Sequence, residues 1–120
     1  MKNILIIEDD RAIAMALAIR MKAAGYEACM AYDALAGVVM CKKMLPDLVL
    51  LDISMPAGNG FLVAERIQMQ VPRLTPIIFL TASKQRGFRE KAEELGAVAY
   101  FEKPYKAQDL MQAVQGVLGE

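Results

Sequence analysis

The apolar run in "ILIIEDD" at residues 4–10 ends in three consecutive carboxylates, Glu8, Asp9 and Asp10. Three more polar side chains stand at or just after later apolar runs: Asp52 in "LLDISMPAGNG", Thr81 in "FLTAS" and Lys103 in "YFEKPY". Crowded carboxylates repel one another and raise their own pKa values unless a cation neutralises them. Mg²⁺ suits such a group, because it is hard, prefers oxygen, needs few protein ligands and keeps several waters. The chain contains no His. That removes Ser-His and Cys-His catalysis and imidazole metal sites in one step.

The elements that must position these residues follow from the pattern of the chain. Short apolar runs at residues 4–7, 26–31, 48–51, 77–80 and 98–101 alternate with longer segments of helical period. Such alternation indicates βαβ units. Four of the runs have almost no polar residue, as expected of strands covered on both faces, whereas the alternating second run reads as an edge strand. The first helix follows Asp10 as N-cap, turns Ile13, Leu17 and Met21 to one face and stops at Gly25. The second spans about residues 33–45 and is ended by Pro46. The third follows "GNG" and carries Phe61, Leu62 and Ile67 until "VPRLTP" breaks it, and a fourth covers about 85–95. In the last, Leu110, Ala113, Val114, Val117 and Leu118 form an apolar stripe.

Right-handed crossovers place the helices of five βα units on both faces of a doubly wound parallel sheet. Ligands in such open sheets bind beyond the carboxyl ends of the strands. Glu8 and Asp9 follow the first strand, Asp52 the third, Thr81 the fourth and Lys103 the fifth, so all of them fall on one rim.

The chain resembles the receiver domains of two-component response regulators, of the CheY-like superfamily, over essentially its whole length. "IIEDD" looks like the acidic pair of that family, "LLDISMPAGNG" like its phosphoacceptor strand and loop, "FLTAS" like its switch hydroxyl and "YFEKPY" like its aromatic and Lys-Pro ending. A single tetrapeptide is weak support, but four in order at strand ends are specific. The resemblance implies a (βα)5 α/β fold with a five-stranded sheet in flavodoxin-like order 2-1-3-4-5, and a single receiver domain over residues 1–120. It implies that Asp52 is the phosphoacceptor, Glu8 and Asp9 the acidic pair, Thr81 the switch hydroxyl, Tyr100 the switch aromatic and Lys103 the site lysine. Asp10 is then a helix cap. For Mg²⁺, Asp9 and Asp52 are expected as direct ligands and Glu8 through water, with the main-chain carbonyl of Ser54 completing the set by resemblance.

The implied reaction is attack of an Asp52 oxygen on phosphorus, the donor being the phosphohistidine of a sensor histidine kinase or phosphotransfer protein, or a small acyl phosphate. An aspartate carboxylate needs no general base at neutral pH. Mg²⁺ and Lys103 would offset charge on the phosphoryl oxygens, with the Thr81 hydroxyl and a backbone N–H after Asp52 bonding them. The outcome is a switch rather than turnover: Thr81 moves inward, Tyr100 turns, and the surface of the fourth helix, fifth strand and fifth helix is reshaped for an effector. The family also implies a cis bond at Lys103-Pro104, where proline alone would be trans in most cases. Ser54 and Ser83 face the pocket in this family and tune the lifetime of the acyl phosphate. Both are small, so the site is expected to be open to water.

Other readings are weaker. A flavin or nucleotide module would want Gly, Ser or Thr donors after the first strand, where this chain is acidic and has no GxxxxGK. An aspartyl phosphohydrolase usually wants a second acid two residues after the nucleophile, where Ser54 stands. The nearest rival is a receiver-like interaction module that works without phosphorylation. Lys plus Arg and Asp plus Glu balance at 14 each, which gives no argument for direct nucleic-acid binding. No run is long enough to span a bilayer or to serve as a secretory signal, so a cytoplasmic protein is expected. Cys29 and Cys41 lack metal spacing and are expected to be reduced packing residues, and the nine Met are expected to fill the core rather than to line a binding groove. The last helix lacks a charged pairing face, which favours a monomer or weak dimer.

Overall fold

The computed structural model describes residues 1–54, 60–83 and 85–119. Strands and helices alternate in the order β1 (Asn3–Ile7), α1 (Arg11–Ala23), β2 (Glu27–Ala31), α2 (Ala34–Met44), β3 (Leu48–Asp52), α3 (Gly60–Gln70), β4 (Ile77–Thr81), α4 (Phe88–Glu94), β5 (Ala99–Glu102) and α5 (Ala107–Leu118). The strands form one parallel sheet in the order β2-β1-β3-β4-β5.

Alternation along each strand sends side chains to two separate cores. Leu5, Ile7, Val49, Leu51 and Phe79 face α2, α3 and α4, where Val38, Cys41, Phe61, Ala64, Ile67 and Ala92 cover them. Ile4, Ile6, Leu48, Leu50, Ile78 and Leu80 face α1 and α5, meeting Leu17, Met21, Leu110, Val114 and Leu118. Every residue of β3 and β4 is therefore buried, which is why both read as unbroken apolar runs. Each fully buried Leu or Ile contributes about 1.5–3 kcal/mol of transfer free energy. β2 lies at the edge and alternates between exposed and covered positions, as its sequence suggested.

Local signals set most boundaries. Asp10 accepts hydrogen bonds from the Ala12 and Ile13 amides and Asp33 accepts one from Ala36, so both act as N-caps. α2 ends at Leu45, which takes a left-handed φ of 47° immediately before Pro46. The turn is held from outside by the Arg73 guanidinium, which donates to the Leu45 and Pro46 carbonyls.

Several expectations are corrected. α4 starts at Phe88, not near residue 85, because Gly87 turns the chain with a φ of 89° just before it. Leu62 is exposed, since α3 buries the face carrying Phe61, Ala64 and Ile67. Cys41 packs in the core, but Cys29 is exposed on the edge strand and is no packing residue. Among the described residues Met21 is fully buried and Met30, Met40, Met44 and Met111 pack against the two cores, as expected, whereas Met1, Met15 and Met69 face solvent. The two residues of "GNG" before Gly60 lie outside the described residues.

Candidate functional site

β1, β3, β4 and β5 end side by side, and the residues at or just after their ends form a polar rim over an apolar sheet. Glu8 continues β1, its amide donating to the Ala31 carbonyl of the edge strand at 3.0 Å. That bond holds the Glu8 side chain under the rim, where it is 2% exposed, while neighbouring Asp9 points to solvent. Asp52 closes β3 and is also buried. One carboxylate oxygen from each of Glu8, Asp9 and Asp52 lies within 4.8 Å of the others.

Lys103 follows β5, and its amide donates to the Thr81 carbonyl at 2.7 Å. The Lys103-Pro104 bond is cis, as the resemblance implied. The ammonium donates to Glu8 Oε1 at 3.1 Å and stands 4.0 Å from Asp52 Oδ2. Sequence order gave no sign that Glu8 would be its nearer partner.

Burial pushes the Glu8 carboxyl up to about 7, and nearby Asp52 adds to this; Lys103 and the Asp10 amide pull the other way without cancelling it. Burial lowers the Lys103 pKa, but its bond to Glu8 and the field of both carboxylates outweigh that, and the net shift is upward. The ammonium is thus held charged between two acids. Tyr105, packed nearby, is raised chiefly by burial.

Thr81 ends β4 and is fully buried. Its Oγ1 accepts a hydrogen bond from the Ser83 amide at 3.0 Å and lies 2.6 Å from Ser54 Oγ. The Ser54 amide in turn donates to Asp52 Oδ1 at 2.8 Å. Tyr100 lies one strand away with its ring largely buried and the Arg89 guanidinium 4.7 Å above it.

Two contributors escaped the sequence reading. Arg89 gave no signal, because a charged residue on a short helix is ordinary. Gly60 stands in the sequence as plain helix punctuation, yet a Cβ there would meet the Ile53 Cα at 2.4 Å and the Asp52 carbonyl at 2.8 Å. Only glycine lets α3 begin so close to the strand that carries Asp52.

The rim can hold a hard divalent cation: its acidic donors are all oxygens, they converge, and one of them is open to solvent. Beside them sit a fixed ammonium and a hydroxyl, the groups that would bond an anion placed on Asp52. No helix among the described residues is long and apolar enough to cross a membrane.

Residues 4–115 match a family model described as "Response regulator receiver domain". The chain is 37% identical to the transcriptional regulatory protein PdtaR of Mycobacterium tuberculosis over 95% of its own length and 55% of that protein. It is 32% identical to the DNA-binding dual master transcriptional regulator RpaA of Synechocystis, over 98% of this chain and 49% of that one. The chain thus spans about half the length of these curated relatives. Among solved structures, a CheY-like receiver domain protein from Methanospirillum hungatei superposes with a TM-score of 0.92 at 28% identity, covering 99% of this chain and 94% of that one. The Vibrio cholerae chemotaxis protein CheY4 gives a TM-score of 0.88 at 26% identity, with 98% of each chain covered.

Proposed function

The chain belongs to the response regulator receiver domain family of two-component systems, and from that premise we propose that residues 1–120 act as one receiver domain phosphorylated on Asp52. The observation that carries this reading is the convergence at one rim of the Glu8, Asp9 and Asp52 carboxylates with the Lys103 ammonium.

Asp52 supplies the nucleophilic oxygen. As its bond to phosphorus forms, the P–N bond of a partner's phosphohistidine breaks and the electron pair returns to the imidazole; with a small acyl phosphate donor, the pair leaves on a carboxylate. Lys103, held by Glu8, is placed to meet negative charge on the transferred group. Glu8, Asp9, Asp52 and the Ser54 carbonyl would hold Mg²⁺, Glu8 through water; bound there, the ion would offset phosphoryl charge. The Thr81 hydroxyl bonds a phosphoryl oxygen and couples the site to β4, with Tyr100 as the neighbouring aromatic. Tyr100 is already largely buried, so its part in the switch is a rearrangement of that ring, which would change the Arg89 stack on α4. Partners follow from this role: a sensor kinase or phosphotransfer protein as donor, and an effector reading α4, β5 and α5.

The test is intact-protein mass after incubation with acetyl phosphate, with and without Mg²⁺, for the wild type and Asp52→Ala. The expected result is one added phosphoryl group that requires Mg²⁺ and Asp52. Absence of the adduct, together with no binding of beryllofluoride, would overturn the reading in favour of an interaction module independent of phosphate.

A further inference from the structure

One rim contact has no part in the chemistry above. Ser54 Oγ lies 2.6 Å from Thr81 Oγ1. The Thr81 oxygen already accepts the Ser83 amide proton, and a hydroxyl has one proton of its own to donate. If that proton is directed at Ser54, none remains for an oxygen of a phosphoryl group on Asp52. Thr81 is fully buried, so its hydroxyl has little access to solvent as an alternative partner. Ser54 is also tied to the acceptor itself, through its amide and Asp52 Oδ1. Its main chain therefore touches the carboxylate and its side chain touches the hydroxyl.

The geometry points to Ser54 as a positioning residue that accepts the Thr81 hydroxyl proton, so that a phosphoryl group on Asp52 must take that proton from it. This inference rests on the phosphoacceptor reading. Ser54 thereby raises the free energy of switching, and the short hydroxyl pair joins the segment after β3 to the end of β4 only until the phosphoryl group arrives. Ser54→Ala removes the side-chain partner while keeping the main-chain amide and carbonyl. It leaves a buried hydroxyl short of one hydrogen bond in the unphosphorylated form alone, and so favours the form in which Thr81 bonds the phosphoryl group.

The experiment measures the affinity of beryllofluoride, with Mg²⁺, for wild type, Ser54→Ala and Ser54→Thr. Removing one net hydrogen bond from the competing state should tighten binding by about fivefold in Ser54→Ala. Ser54→Thr, which keeps a hydroxyl, should return to the wild-type value. A Ser54 role confined to stability would lower the unfolding midpoint without tightening binding. If wild type binds but Ser54→Ala binds equally or more weakly, or Ser54→Thr matches Ser54→Ala, the hydroxyl latch is wrong while the phosphoacceptor reading stands. If wild type itself fails to bind, the phosphoacceptor reading falls and the competition falls with it. In the Mg²⁺-free protein, a double-mutant cycle of Ser54→Ala with Thr81→Val should show coupling of about fivefold in the folding constant. Strict additivity would also overturn the latch.

Discussion

Metal-free stability should fall as pH rises through neutrality, and Glu8 should be the cause. Two effects oppose each other at this carboxyl: the Lys103 ammonium at 3.1 Å favours its charged form, while burial and nearby Asp52 favour its neutral form. Burial wins, and the pKa rises from 4.5 to about 7. An acid with a raised folded pKa stabilises the fold as the neutral species. That contribution is complete below about pH 4.5 and is lost as the pH passes through about 7. At about 1.4 kcal/mol per pKa unit the full effect is about 3 kcal/mol, most of it lost between about pH 5 and 8. For a domain of this size that corresponds to roughly 10 °C in Tm. The groups facing Glu8 are Lys103, Asp52, Asp9 and the Asp10 amide, so Glu8→Gln changes the titrating group and leaves the others in place. Urea unfolding in a chelating buffer at steps across that range should show wild type losing stability relative to Glu8→Gln by about 3 kcal/mol. Saturating Mg²⁺ should restore wild type at the alkaline end, because the ionised cluster binds the cation only when folded. A constant difference between the two proteins would refute the reasoning. A wild type that gained on Glu8→Gln with rising pH would show that the Lys103 contact outweighs burial.

Gly60→Ala should destabilise the protein by about 1–3 kcal/mol in urea unfolding, since a Cβ has to push the Asp52–Ile53 backbone away from α3. It should also weaken beryllofluoride binding, because the displaced strand end carries Asp52; unchanged stability would show that α3 yields freely. A thiol reagent applied to the native protein should modify Cys29 quickly and Cys41 only on unfolding. Cys41 is fully buried and burial pushes its thiol up to about 11, whereas Cys29 is exposed. Two equally fast thiols would contradict the packing of α2.

The sequence by itself determined the elements and the rim. The runs 4–7, 48–51 and 77–80 are apolar on both faces because helices cover both sides of the sheet, so burial is written in their composition. Asp10 and Asp33 announce helix starts because a short acceptor side chain satisfies the free amides of a first turn within the same few residues. Once the strands are known, their carboxyl ends put Glu8, Asp9, Asp52, Thr81 and Lys103 on one edge. What tertiary structure alone decided is which of these atoms meet. Glu8 is buried and Asp9 exposed although they are adjacent, because the Glu8 amide pairs with the Ala31 carbonyl. Lys103 sits nearer Glu8 than Asp52, Ser54 meets Thr81, and Arg89 covers Tyr100, each joining segments distant in the chain. Cys29 lies open on β2 and Cys41 closed on the buried face of α2 for the same reason. Periodicity and capping act over a few residues and can be read locally, whereas partner choice, desolvation and close approach depend on how packed elements come together.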